Sequence, residues 1–329
     1  MSVGGDKVGG TMFPKTTPGL PSAAEDCDVS TVYESASPLD PMACLRDLRR
    51  GKGDPTFERD SAGSVWRASR LPSGPVTYRL TPVSRTAVRS QAWGPGAEEF
   101  AAFLPALLGS EDDSSGFAPE HPTLKEAHRQ HPHLRLGRTG LVMEALVPAV
   151  LEQRVHGLSA FSSWRRLVTK FGERAPGPTP KPMFVPPTPD VWRRIPSWEY
   201  HLANVDPARS KTIVRCAQVA PRMEEAASMS FADATRRLRA VPGVGIWTAA
   251  EVAQRAFGDP DALSVGDYHL AAVVGWSLLG RPLDDAGMIE YMKPLAPHRF
   301  RAVKLLQISG RAVKPKFGPR TPLVDHTWH

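Results

Sequence analysis

Hydrophobic positions change their rhythm along this 329-residue chain. Between residues 40 and 108, the segments 57–59, 64–68 and 76–80 read as short strands, and 86–92 adds another. Residues 42–49 and 97–108 instead have helical spacing; in the second, the apolar positions are Phe100, Phe103, Leu104 and Leu107. The acidic, Ser/Gly-rich stretch 109–118 marks a boundary. Beyond it almost every segment has a helical period: 124–130, 141–154, 159–171, 190–194, 198–203, 207–219, 267–279, 284–292 and 298–310, besides a hairpin pair between 230 and 257. Gly172 is read as the cap of its helix, Pro176-Gly177-Pro178 as a stop, and a Pro-rich connector runs to 189. The pattern predicts an α+β protein, with a small α+β domain over 37–118 and an all-α domain over 119–313. Residues 1–36 are expected to be a mobile arm and 314–329 an irregular basic tail.

The hairpin pair organises the helical part. Ser230 with Asp233 reads as a capping box that starts one helix, and Pro242-Gly243 stops it. A second helix can begin only after Gly243-Val244-Gly245, and Gly258-Asp259-Pro260 ends it near Phe257. Glycines at 243 and 245 leave room for a phosphate to approach the backbone N–H groups at the start of the second helix, where the helix dipole favours an anion.

Charge strengthens that reading. Lys and Arg exceed Asp and Glu by 41 − 34 = 7, and the isoelectric point is about 9.5, which suits a polyanionic partner. Cys27, Cys44 and Cys216 are scattered and odd in number, the usage of a protein with reduced thiols, and are too few for a four-cysteine iron–sulfur site. The first residues contain no apolar signal segment and no later run reaches membrane-spanning length, so a cytoplasmic protein is expected. His121, His128, His131 and His133 are interrupted by Pro132 with no cysteine nearby, and a polar loop is the better reading than a metal site.

The hairpin, the Trp247-Thr248-Ala249-Ala250 helix start and the Gly266-Asp267-Tyr268 segment, with Asp267 twenty residues after Trp247, together resemble the helix-hairpin-helix DNA glycosylases, most of all their bacterial alkylpurine branch. The resemblance covers most of residues 40–310. It implies a monofunctional enzyme of base excision repair that flips a damaged, alkylated purine of the 3-methyladenine type out of duplex DNA and hydrolyses its N-glycosidic bond. Asp267 matches the catalytic aspartate, whose carboxylate would stabilise positive charge developing on the sugar and orient water. An aspartate before a helix is also a plain N-cap, and the two roles are compatible. Trp247 stands where bifunctional members carry a nucleophilic lysine, so no covalent intermediate is expected.

The same resemblance places Trp247, Glu251, Tyr268 and Ser309 in the base pocket. It places Gly243, Gly245, Thr248, Gln153 and Arg154 on DNA, with Arg154 at the wedge position that fills the gap left by the flipped nucleotide. Glu251 and Ser309 replace aromatic residues of the relatives, which favours a different, neutral lesion as one alternative; a solvated Glu251 and a packing Ser309 are another. Backbone carbonyls near Arg239, Val241 and Val244 match a site for a monovalent cation, K or Na, and no other cofactor is required. The expected partner is double-stranded DNA containing a damaged base, bound by a monomer associated with the nucleoid. A DNA-binding hairpin without catalysis is the reading from a different class.

Overall fold

The computed structural model of the protein describes residues 26–314; the arm before residue 26 and the tail after 314 lie outside the described residues. Chain elements run in the order strand β1 (Val29–Glu34), helix α1 (Pro41–Leu45) with a 3-10 turn to Leu48, strands β2 (Phe57–Arg59), β3 (Val65–Leu71), β4 (Gly74–Pro82) and β5 (Ala87–Trp93), and helix α2 (Ala97–Leu107). All strand pairs in this sheet are antiparallel, in the order β1-β5-β4-β3-β2. The sequence reading put β1 in the mobile arm. It pairs instead along β5, from Val29 opposite Ala92 to Glu34 opposite Ala87. Its side chains alternate between half-buried and exposed, the pattern of a sheet-edge strand. One face of the sheet packs on α1 and α2 through Leu45, Tyr78, Leu80, Phe100 and Leu104.

The helical part is not purely helical. Helices α3 (Pro122–Gln130), α4 (Val142–Leu151) and α5 (Gly157–Phe171) are followed by a two-residue pairing of β6 (Glu173–Arg174) with β7 (Phe184–Val185). This ribbon lies over the second face of the main sheet, where Met183 and Val185 bury Trp66 and Trp93, stacked 5.4 Å apart. Gly172 does not form a left-handed cap: its φ is −75° and ψ 172°. A side chain there would strike the carbonyl oxygens of Val168 and Val185, so glycine permits the ribbon to leave the helix at once. Then come α6 (Pro189–Arg194), α7 (Ser197–Leu202), α8 (Pro207–Gln218), α9 (Ala220–Glu224), α10 (Phe231–Arg239), α11 (Ile246–Val252, continued by a π-helical turn to Phe257), α12 (Leu270–Leu279), α13 (Asp285–Met292) and α14 (Arg299–Ile308).

Two apolar cores divide these helices. One gathers α4 to α11 around Leu146, Trp164, Ile213, Leu238 and Val252. The other joins α3 to α12, α13 and α14 around Leu124, Val274, Met288 and Leu305. The segment from Gly258 to His269 crosses from one core to the other, and Asp267 lies on it. Buried polar ties hold the sheet against the first core: Asp54 accepts hydrogen bonds from the Arg50 and Thr56 amides and from the Trp164 indole, and Arg67 pairs with Glu144 of α4. Each buried carboxylate here has several donors, which is what makes its burial tolerable. Glu224, on the short α9 that the sequence reading missed, accepts the Val142 and Met143 amides at 2.8 and 2.9 Å and so starts α4.

Candidate active site at the seam of the two helical cores

The hairpin forms as its sequence dictates. Ser230 Oγ accepts the Asp233 amide at 3.2 Å and opens α10. Gly243 has φ +100°, and a Cβ there would lie 2.1 Å from Thr212 Oγ1, so both conformation and neighbour demand glycine. Gly245 differs. Its backbone is extended, no side chain caps α11, and nothing lies within 4 Å of the position a Cβ would take. Gly243 therefore shapes the turn, whereas Gly245 leaves open space before the first free N–H groups of α11.

The turn after α4 is fastened to this hairpin. Helix α4 stops at Leu151, short of the expected residue 154, because Arg154 takes up a left-handed conformation with φ +55° and stands exposed. Gln153 beside it donates through Nε2 to the Gly243 carbonyl at 3.0 Å and to Thr248 Oγ1 at 2.8 Å. Gln153, Arg154 and Gly243, assigned to DNA from sequence, thus lie together on the surface, whereas Thr248 is 2% exposed and serves as an inner acceptor that anchors Gln153 rather than as a DNA contact. Gly245 completes that surface from within the hairpin. Val241 uses its carbonyl to accept the Val244 amide at 3.0 Å, closing the turn.

Asp267 divides its two oxygens between structure and the seam. Oδ1 accepts the His269 and Leu270 amides, both at 2.9 Å, as the cap of α12. Oδ2 meets the Trp247 indole N–H at 3.3 Å, a bond that spans the two helical cores. The carboxylate is half-buried and thus aimed without being sealed. Tyr268 is 80 % exposed, its ring edge-on to His269 at 4.7 Å, and forms no wall beside Trp247. Ser309 caps the end of α14 and spends its hydroxyl on the Leu306 carbonyl at 3.3 Å; no hydrogen bond joins it to Asp267, Trp247 or Glu251. Of the four pocket residues expected from sequence, the structure brings together Trp247 and Glu251.

Glu251 follows Trp247 by one turn and faces inward. Its Oε2 pairs with Arg255 at 2.8 Å, and its Oε1 accepts the Ser264 hydroxyl at 2.6 Å. Ser264 also receives Gln254 Nε2 at 2.8 Å. Both oxygens of Glu251 therefore act as acceptors, which leaves no room for the solvated alternative. Arg255 continues to the Asp47 carbonyl at 3.0 Å, Lys304 of α14 pairs with the Asp47 carboxylate, and Arg50 pairs with Glu152 at 3.0 Å.

Burial alone would push the Asp47 carboxyl up, but the Lys304 ammonium, helped by Arg255 and Arg50, holds it below the usual carboxylate range. Burial also works against the Arg255 charge, yet Glu251, then Glu152 and Asp47, hold that guanidinium more firmly protonated than usual. Arg50 loses basicity first to burial and then to Arg255 beside it. Sequence reasoning missed Asp47, Arg255 and Lys304 because they lie 208 and 257 residues apart in their contacts. The helical spacing of Trp247, Glu251 and Arg255, each four residues after the last, was the available signal.

Two of the four histidines in this stretch have structural partners. His121 caps α3 by accepting the Thr123 amide at 3.2 Å, and the His128 ring packs against Phe117. Among the described residues no group of three or more His, Cys, Asp or Glu is arranged to hold a metal, and no helix is long and apolar enough to cross a membrane.

No protein-family model matches the chain. It is 33% identical over 164 residues, 45% of this chain and 30% of the relative, to the probable bifunctional transcriptional activator/DNA repair enzyme AlkA of Mycobacterium tuberculosis. It is 27% identical over 182 residues, 53% of this chain and 59% of the relative, to the DNA-3-methyladenine glycosylase of Bacillus subtilis. The chain thus spans between three tenths and three fifths of the curated relatives it matches. In structure it is similar to 3-methyladenine DNA-glycosylase from Archaeoglobus fulgidus, with a TM-score of 0.69 and 17% identity, covering 85% of this chain and 98% of that one. At that identity the likeness is one of fold.

Proposed function

We propose that this chain, a sequence relative of DNA-3-methyladenine glycosylases with a glycosylase fold, is a monofunctional DNA glycosylase that releases damaged purines from duplex DNA. The observation that carries the reading is Asp267: one oxygen is fixed by two backbone amides, and the other is turned to the Trp247 indole across the seam. Cleavage of an N-glycosidic bond builds positive charge on the deoxyribose. A fixed carboxylate beneath the anomeric carbon stabilises that charge, and a positioned group of this kind contributes about 10²–10³ in rate. The indole N–H orients the carboxylate, and its half-buried ring would offer a face to an extruded base.

The hairpin supplies the grip. Unfilled space at Gly245 and the uncapped amides of α11 suit a DNA phosphate, which positions the duplex without reading its sequence. Arg154, exposed at a left-handed turn, would act as the plug that fills the gap left by the flipped nucleotide. A monovalent cation bound by the carbonyls of Arg239, Val241 and Val244 would brace the turn and add positive charge near that phosphate. The reading further assigns a small sheet-bearing domain followed by a helical catalytic domain, acting as a monomer. Its test is the release of free base from duplexes carrying single defined lesions, compared between the wild-type protein and Asp267→Asn. Release by the wild type, with abasic sites left uncleaved until alkali is added, supports it; absence of release from every lesion in the panel overturns it.

A further inference from the structure

Helix α8 lies flush against the hairpin turn. Thr212 fills the space that a side chain at Gly243 would need, and its hydroxyl returns to the Ala208 carbonyl at 2.9 Å. Three residues on, Arg215 Nη1 approaches the Pro242 carbonyl at 3.5 Å, the outer limit of a hydrogen bond. Two consecutive carbonyls of the turn, those of Pro242 and Gly243, are therefore met by side chains from two flanking segments, Arg215 of α8 and Gln153 of the wedge turn. The two differ in charge. Gln153 is neutral, whereas Arg215 brings a guanidinium with five N–H donors, of which this long contact engages one. Lys211 precedes Arg215 by four residues, about 6 Å along the axis, and shares the outer face of α8 with it, while Ser210, Thr212, Ile213 and Cys216 are buried.

Pairing separates these two cations from their neighbours. Arg209 of α8 pairs with Asp206, and Arg236 and Arg237 of α10 pair with Asp233 and Glu225. Lys211 and Arg215 are exposed, and among the described residues no carboxylate lies within ion-pair distance of either. Two uncompensated charges thus stand beside Gly243 and the uncapped amides of α11, where positive potential adds to that of the helix start. A duplex presents one phosphate about every 3.4 Å along each strand. A backbone that meets Gly245 therefore brings further phosphates within reach of long side chains at its edge.

We propose that Arg215 and Lys211 form a basic rim along the hairpin that binds DNA phosphates beside the one held at Gly245. This rests on the DNA glycosylase reading and adds to it a side-chain grip that acts through charge and not through backbone N–H groups. The rim positions the duplex without reading its sequence, so it serves damaged and undamaged DNA alike. The approach to Pro242 keeps the Arg215 guanidinium against the turn, and its remaining donors meet phosphate.

The experiment measures affinity for a duplex with a tetrahydrofuran abasic analogue and for the undamaged duplex across a series of salt concentrations, using the wild type, Lys211→Gln, Arg215→Gln and the double variant. Arg85→Gln, which removes an exposed cation from the turn between β4 and β5, controls for net charge, and thermal unfolding checks each fold. Lys211 makes no hydrogen bond to the turn, so its variant stands as a test even where Arg215→Gln loosens the hairpin. The expected result is a weakening of about three- to fivefold for each rim substitution on both duplexes. The slope of log affinity against log salt should shrink by about one for each charge removed, with Arg85→Gln unchanged. Unchanged affinity and slope in the double variant overturns the rim; a Gly245→Ala protein that still binds more weakly then leaves the hairpin reading standing. Weaker affinity with an unchanged slope assigns Arg215 to holding the Pro242 turn alone, and an equal change of slope in Arg85→Gln assigns the effect to overall charge; either result overturns the rim. A wild type that binds neither duplex overturns both readings.

Discussion

The two ends of helix α11 use opposite physics. Its beginning is exposed, built around Gly243 and Gly245, and offers backbone N–H groups with no side-chain cap. Its end is buried, carries Glu251 and Arg255, and widens into a π-helical turn whose Arg255 and Ala256 carbonyls are taken by the Thr139 and Gly140 amides at 2.9 Å. The first end suits a ligand recognised anywhere along its length, because every phosphate is alike. The second end is closed on the protein itself, with both Glu251 oxygens and the Arg255 guanidinium taken by their neighbours. Trp247, on α11, and Asp267, which precedes α12, meet between these two ends.

The strongest way to break this division is at its midpoint. Asp267→Asn keeps an oxygen able to cap α12 and loses only the charge, so base release should fall by about 10²–10³ or more while affinity for an abasic-analogue duplex changes little. Asp267→Ala should lose the cap as well, at about 1 kcal/mol of stability. Excision by Asp267→Asn within tenfold of wild type would sink the catalytic assignment.

At the beginning of the helix the two glycines should separate cleanly. Gly243→Ala forces a Cβ against Thr212 at a positive φ, and about 1–3 kcal/mol of stability should be lost from backbone strain alone. Gly245→Ala meets empty space, so thermal unfolding should stay within a degree or two while binding to damaged and undamaged duplex weakens alike. A Gly245→Ala protein with full affinity would remove that glycine from the DNA surface.

This end was legible from sequence because it is local: cap, turn and helix start fall within twenty residues, and each has a residue-type signature. The far end was not. Glu251 invited notice by its position, but its partners Arg255 and Ser264, and beyond them Asp47 and Lys304, meet only through the fold, and charged residues in sequence read by default as solvated. The same limit applied to β1, whose half-exposed alternation is sparse in apolar residues, and to the β6–β7 ribbon hidden in a Pro-rich stretch. Ser309 failed for a related reason, since its place at the end of α14 turns it to the Leu306 carbonyl, and Lys304 in the same helix holds the inward position.

The buried end should in turn show itself in acid. The Asp47 carboxyl is held below its usual value by Lys304, so the folded state binds its proton less readily than the unfolded chain does. Its contribution to stability is therefore full above the unfolded value near about 4 and is lost as pH falls through the lower folded value. Wild type should lose more stability between neutral pH and pH 3 than Asp47→Asn does, although the variant starts lower because Lys304 is left unpaired. Urea midpoints at the two pH values measure the difference; parallel losses in both proteins would separate Asp47 from the acid transition.

The smallest effect belongs to the strut that joins the wedge turn to the hairpin. Gln153 Nε2 donates to both the Gly243 carbonyl and Thr248 Oγ1, so it fixes where Arg154 stands relative to Gly245. The bond to the Gly243 carbonyl is exposed, so water can replace it, and the bond to the buried Thr248 hydroxyl is part-buried; Gln153→Ala should accordingly cost about 0.5–1.5 kcal/mol of stability. The consequence for DNA is sharper in kind than in size. If Arg154 must be set in register with the hairpin to fill the gap beside a flipped nucleotide, Gln153→Ala should weaken binding to the abasic-analogue duplex by roughly fivefold, about 1 kcal/mol, and leave binding to undamaged duplex nearly unchanged, because only the first has a gap to fill. Gln153→Glu should be worse than alanine, since a carboxylate would face the Gly243 carbonyl. Equal weakening on both duplexes would show that Gln153 supports the hairpin's hold on phosphate and has no part in placing Arg154.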